Sequence, residues 1–289
     1  MKIGLQINRF DYPGGAATIG PTLAKIATTA EVAGFDSLWV MDHFFQIHYL
    51  GPPTDPMMEA YTALGYLAGV TRKVTLGTLV TGVVYREPAF LIKAVTALDV
   101  VSGGRAYLGI GAGWFEEEAV ALGFTNPLTS QRFDRLEDTL KLAKQMWVGD
   151  DKPFKGKMYT VPHPFSNPQP IQKPHPPIMI GGGGEQRTLK LVAQYGDACN
   201  LFGTPELEHK LDVLKQHCNE AGRDYNEIEK TVTMGMNVRL AQKDPQATLE
   251  RAKYLSSLGI THLIFSVPKE TGMSIYEDFA ALSTALHKL

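Results

Sequence analysis

The chain has 289 residues, 44% hydrophobic and 20% charged, with a formal net charge of −2. This is ordinary globular composition, and the near-neutral charge gives no support for nucleic acid as a partner. No apolar run reaches membrane-spanning length, the opening MKIGLQIN is too short and interrupted for a signal peptide, and Cys199 and Cys218 form no metal-binding spacing, so a reduced cytoplasmic protein is expected.

Strand-like and helix-like runs alternate along the chain. The patterns predict a strand over Lys2–Asn8, a helix over Thr18–Ala33 and a strand over Ser37–Met41. Then come helix Pro56–Val70, strand Val74–Val80, helix Glu87–Val101, strand Ala106–Ile110 and helix Gln131–Trp147. Strands Pro177–Ile180, Ala198–Phe202, Thr231–Leu240 and His262–Val267 follow, each with a helix after it: Glu185–Tyr195, Pro205–Ala221, Pro245–Leu258 and Ser274–His287. Eight β-then-α units in one run predict an α/β fold, a (β/α)8 TIM barrel forming one domain over 1–289, ahead of a doubly wound open sheet. Asp150–Pro176 breaks the rhythm before the fifth strand. It is proline-rich, and a loop of this length reads as functional or as a covering flap.

Four segments carry candidate chemistry. The first is Gly34 followed by the uncharged run Ser37–Met41 and then Asp42 and His43. Gly34 reads as a helix stop, and Asp42 and His43 fall at a strand's C-terminal end, where barrel enzymes place their chemistry. Adjacent residues of an extended backbone point to opposite sides, so the two should not bond each other. A histidine here can act as a general base or donor near neutral pH, and the plainer alternative is a capping Asp42 and a packed His43. The second segment is Gly181–Gly184 with Glu185, between a strand and a helix, which reads as a phosphate-binding loop because a helix start offers free N–H groups. In the third, GIGAGW, Trp114 stands where a dinucleotide fingerprint needs glycine. Gly111, Ala112 and Gly113 read better as a floor against a flat ring, and Glu116, Glu117 and Glu118 as a solvated first helical turn. The fourth, LGTLVTG, covers Thr78, Leu79 and Val80 and ends in a bulge or close approach. His163 and His175 lack companions at ligand spacing, so no metal is expected.

These stretches, AEVAGFDSLWVMDHF, VTLGTLVTG, YREPAFLIKAVTALDVVSGGRAYLGIGAGWFEEE and PPIMIGGGGEQRTLKLVAQYGDACN, together with HCNEAGRD at His217–Asp224, resemble the luciferase-like superfamily in order and over nearly the whole chain. The resemblance extends to its branch of oxidoreductases dependent on the deazaflavin coenzyme F-420. It implies a barrel holding the tricyclic ring at its C-terminal mouth, with Asp42 and His43 against the coenzyme and a role for His43 near hydride transfer. It implies a non-proline cis peptide at Leu79-Val80 behind the ring, Gly182, Gly183 and Gly184 near the phosphate, and the 111–113 segment beside the coenzyme. Homodimers are frequent in the family. Sugar-phosphate dehydrogenases of the branch carry a glutamate where this chain has Trp114, which weighs against sugar-phosphate oxidation. The expected activity is hydride transfer between coenzyme F-420 and a small organic substrate, with Phe44, Tyr85 and Trp114 lining the substrate side. The alternatives are an FMN-dependent monooxygenase and a flavin-binding barrel without catalysis.

Overall fold

The computed structural model describes residues 1–269 and 272–289. Among the described residues eight barrel strands run parallel: β1 Lys2–Ile7, β2 Ser37–Val40, β3 Thr75–Thr78, β4 Ala106–Gly111, β5 Ile178–Gly181, β6 Ala198–Phe202, β7 Glu229–Asn237 and β8 His262–Ser266, with the two-residue strand Thr81–Gly82 added against the end of β4. They pair in the order β3-β2-β1-β8-β7-β6-β5-β4, and a β3–β4 pairing through Leu76↔Ala106 and Gly77↔Tyr107 closes the ring. A closed ring of parallel strands with helices outside is the TIM barrel that the alternating pattern predicts.

Among the described residues ten α-helices surround it: α1 Ala16–Val32, α2 Ala60–Val70, α3 Pro88–Ser102, α4 Glu116–Ala121, α5 Thr129–Trp147, α6 Thr188–Tyr195, α7 Leu207–Ala221, α8 Val238–Lys243, α9 Pro245–Ser257 and α10 Ser274–Leu286. Local chemistry sets their ends. Gly34 takes φ 90° after α1, as a glycine stop requires. The expected helix from Pro56 starts only at Ala60, because the Glu59 carboxylate accepts from the N–H groups of Tyr61 and Thr62 and caps it there. The seventh strand stops at Asn237 rather than Leu240, since the Asn237 side chain accepts from Leu240 N–H at 3.0 Å and opens α8.

Alternation along the strands divides the core in two. Leu38 and Val40 join the large cluster between strands and helices, whereas Trp39 belongs to a separate cluster with Met179, Ala198, Ile264, Leu79 and Tyr107 inside the barrel.

The proline-rich insertion does not cover the mouth. A short antiparallel hairpin, Phe154–Lys155 with Thr160–Val161, is tied to α5 by buried Asp138, which accepts from the N–H groups of Lys157, Met158 and Tyr159. Buried Asp99 on α3 accepts from the N–H groups of Ile171 and Gln172, and the Gln172 amide donates to Ala106 O at the first residue of β4. The segment is thus tied along the flank of α5 by its hairpin and to the C-terminal end of α3 and the first residue of β4 by its later residues. A long loop reads as a flap only if its anchors lie at the mouth, and these anchors are side chains distant in sequence.

Candidate active site

Asp42 and His43 diverge as an extended backbone requires. Asp42 is buried and receives two hydrogen bonds from Arg86, from Nη1 to Oδ2 at 2.5 Å and from Nη2 to Oδ1 at 2.9 Å. Arg86 also bonds Glu59 at 2.5 Å and stacks over the Tyr61 ring, 4.8 Å from its centroid. Burial pushes the Asp42 carboxyl up while the guanidinium pulls against it, and the Arg86 guanidinium is held well above its ordinary range. Asp42 thus anchors the β2–α2 and β3–α3 loops and faces Arg86.

His43 has a partner that the sequence did not reveal. Glu118, read as part of a solvated turn, is fully buried. Its Oε2 lies 2.9 Å from His43 Nδ1 and accepts from the Tyr85 hydroxyl at 2.5 Å. Its Oε1 accepts from the N–H groups of Phe44 and Phe45. Burial works to raise this carboxyl, but the bonds from His43, Tyr85 and Phe45 outweigh it, and Glu118 sits below the usual carboxylate range. Tyr85 is pushed well up by burial and by Glu118, which keeps its hydroxyl protonated.

Around the imidazole stands an aromatic wall. Trp114 and Phe115 stack on each other and present edges to His43 at 5.5 and 5.6 Å. Trp114 is 54% exposed, so it lines the open side. Tyr85 is buried with its hydroxyl on Glu118, which puts it behind the histidine instead of on the open face expected of it. Phe44 packs against Tyr85 and Phe124.

The glycine segments meet under Val80. The Leu79-Val80 peptide is cis. A Cβ built on Gly111 or Gly181 would lie 3.0 or 2.9 Å from the Val80 methyls, so a side chain at either position would have to displace Val80. Ala112 and Gly113 continue the floor from Gly111. Thr78 is turned away, its hydroxyl donating to Gly109 O at 2.8 Å. At the loop from Gly182 to Gly184, the Lys210 side chain on α7 lies beside Gly183. The Glu185 carboxylate is bonded to Lys210 and lies 3.3 Å from His209 Nε2. Glu185 is therefore paired with Lys210, beside the glycine loop. Among the described residues no group of His, Cys, Asp or Glu could hold a metal ion, and no helix is long and apolar enough to cross a membrane.

The model of the luciferase-like monooxygenase family matches residues 9–287, and the chain belongs to that family. It is 30% identical over 259 residues to a coenzyme F-420-dependent glucose-6-phosphate dehydrogenase of Kineococcus radiotolerans, covering 88% of this chain and 74% of that one. Two solved structures share the fold. A coenzyme F-420-dependent secondary alcohol dehydrogenase, solved with a coenzyme–acetone adduct, superposes with a TM-score of 0.80 at 20% identity, covering 99% of this chain and 98% of that one. A coenzyme F-420-dependent tetrahydromethanopterin reductase of Methanopyrus kandleri gives 0.77 at 16% identity, covering 96% and 97%.

Proposed function

We propose that this chain is an oxidoreductase that moves a hydride between the deazaflavin coenzyme F-420 and a small organic substrate. The observation that carries the reading is His43, held at the C-terminal end of β2 by a buried carboxylate, at the same end of the barrel as two glycine segments. The donor set fits the coenzyme. Gly111 and Gly181 pack tightly against Val80 and bring bare backbone to a flat ring, while the start of α6 and Lys210 offer positive potential to its phosphate. Bound there, the deazaflavin supplies a carbon centre that gives or accepts a hydride. In the direction of oxidation the substrate's C–H bond breaks with its electron pair leaving as hydride, and the proton of the adjacent O–H or N–H goes to His43 Nε2. Reduction runs the same steps backwards. Trp114 and Phe115 shape the substrate face. Trp114 also stands where the sugar-phosphate branch has its glutamate, which favours a small uncharged carbonyl, imine or alcohol over a sugar phosphate.

Titrating the protein separately with coenzyme F-420 and FMN tests the reading, followed by absorbance assays with enones, imines, nitroaromatics and alcohols. Saturable deazaflavin binding with turnover of one panel member is expected. Tight FMN binding without deazaflavin binding would overturn it in favour of a flavin monooxygenase, the second reading, which the family's name supports. The proposal includes a cytoplasmic homodimer. Two buried free thiols, Cys199 and Cys218, support the reducing compartment, and family resemblance supports the dimer, which light scattering tests.

A further inference from the structure

Four donors converge on one buried carboxylate, and three of them are fixed by the fold. The N–H groups of Phe44 and Phe45 occupy Glu118 Oε1, and the Tyr85 hydroxyl shares Oε2 with His43 Nδ1. An ionised carboxylate only accepts, so the fourth group must donate as well. His43 Nδ1 therefore bears a proton, and the ring nitrogen left for a ligand is Nε2, with no hydrogen-bond partner among the described residues. The His43 side chain is 12% exposed, so this nitrogen sits in a restricted opening. Among the described residues no lysine or arginine is paired with Glu118. Its charge is balanced by dipoles alone until Nε2 takes up a proton, and an imidazolium 2.9 Å away then completes an ion pair.

We propose that Glu118 is the positioning residue of this site: through Nδ1 it fixes the orientation and tautomer of His43, and it stabilises the imidazolium that forms when Nε2 accepts the substrate's proton. The inference rests on the proposed hydride transfer for its step and on the geometry of the chain alone for the tautomer. The balance is simple. The hydride leaves with its electron pair for the coenzyme, the O–H or N–H proton goes to Nε2, a C=O or C=N bond forms, and the Nδ1 proton stays on its bond to Glu118. The other charged or titratable groups packed around this unit are Tyr85, the His48–Glu117 pair at 3.1 Å on the exposed side, and Asp42 with Arg86 and Glu59 behind. None of them is bonded to the imidazole.

Glu118→Gln is the decisive variant because it keeps the shape and reverses the polarity. The amide oxygen takes the place of Oε1 on the two backbone N–H groups, and the amide NH2 then faces Nδ1. In ¹⁵N-labelled protein without coenzyme, imidazole spectra of native His43, assigned with His43→Ala, should show a protonated Nδ1 and a bare Nε2. Glu118→Gln should switch the proton to Nε2, lower the His43 titration midpoint, and cut kcat by about 10²- to 10⁴-fold with coenzyme Kd nearly unchanged. Tyr85→Phe supplies a second arm should the amide variant fail to fold. It removes one donor from Glu118, should keep the Nδ1–H tautomer, and should move the midpoint upward. A native His43 protonated on Nε2, an unchanged tautomer in Glu118→Gln, or an unmoved midpoint in Tyr85→Phe would overturn the proposal. If native protein binds no coenzyme F-420, the functional reading fails while the spectra still judge Glu118.

Discussion

The two ends of the barrel carry the same three residue types in opposite states. At the N-terminal end Glu229 accepts from the Tyr107 hydroxyl and from Lys2, both at 2.9 Å, and lies 3.4 Å from His262 Nδ1. The other nitrogen of His262 is 2.8 Å from Ser37 Oγ, which in turn accepts from Trp39 Nε1 at 2.7 Å. At the C-terminal end Glu118, Tyr85 and His43 repeat the pattern, but His43 keeps Nε2 unbonded. A glutamate–histidine–tyrosine cluster is therefore no mark of chemistry by itself. In the first cluster both ring nitrogens are buried among protein groups, Nε2 bonded to Ser37 and Nδ1 3.4 Å from Glu229 with no hydrogen-bond partner among the described residues, and the cluster braces β4, β7 and β8. The second spends one and leaves the other for a ligand. A space of about 730 Å³ lies beside the N-terminal cluster, lined by Tyr107, Glu229 and Lys230, yet the acid there is already bonded to the Tyr107 hydroxyl and to Lys2.

The comparison can be broken at several points. The largest effect is expected from His43→Ala, which should lower the hydride-transfer rate by about 10²- to 10⁴-fold while leaving the thermal midpoint nearly unchanged. His262→Ala should do the reverse, and loss of turnover in a well-folded His262 variant would end the distinction. Next, Glu229→Ala should cost about 3 kcal/mol of stability in denaturant unfolding, because Tyr107, Lys2 and His262 lose a shared partner.

Acid should find the same group. Burial works against the Glu229 charge, but His262 and Lys2 hold the carboxyl down at about 2 against an ordinary 4.5. A depressed folded value means stability fully present above about pH 4.5 and lost as pH falls toward 2. The native protein should therefore lose on the order of 3 kcal/mol across that window, and Glu229→Gln should flatten the profile. The smallest effect is expected from Lys210→Ala at the glycine loop: about tenfold weaker coenzyme binding by titration, with little change in stability because its pair with Glu185 is partly exposed.

Much of this was legible in the chain. The alternating periodicities fix eight strands within a few residues of their observed ends, and the run from Ser37 to Met41 puts Asp42 and His43 at the correct end of a barrel strand. Their divergence follows from strand geometry, and the glycine segments follow from steric need. Glu118 was not legible. It stands in a run of three glutamates at a helix start, where local rules favour solvated carboxylates, and Glu116 and Glu117 are indeed exposed.

Sequence alone determined the order and kind of the strands and most of the helices, and their ends to within a few residues, because those depend on neighbours a few positions away. Tertiary structure decided which glutamate turns inward, that Asp42 answers to Arg86, and that the proline-rich segment is tied down on α5, α3 and the start of β4. Each of these depends on the rotation of a helix or the path of a loop across contacts tens of residues apart. The buried bonds among Glu118, His43 and Tyr85 span 75 and 33 positions, and no local pattern encodes a separation of that kind.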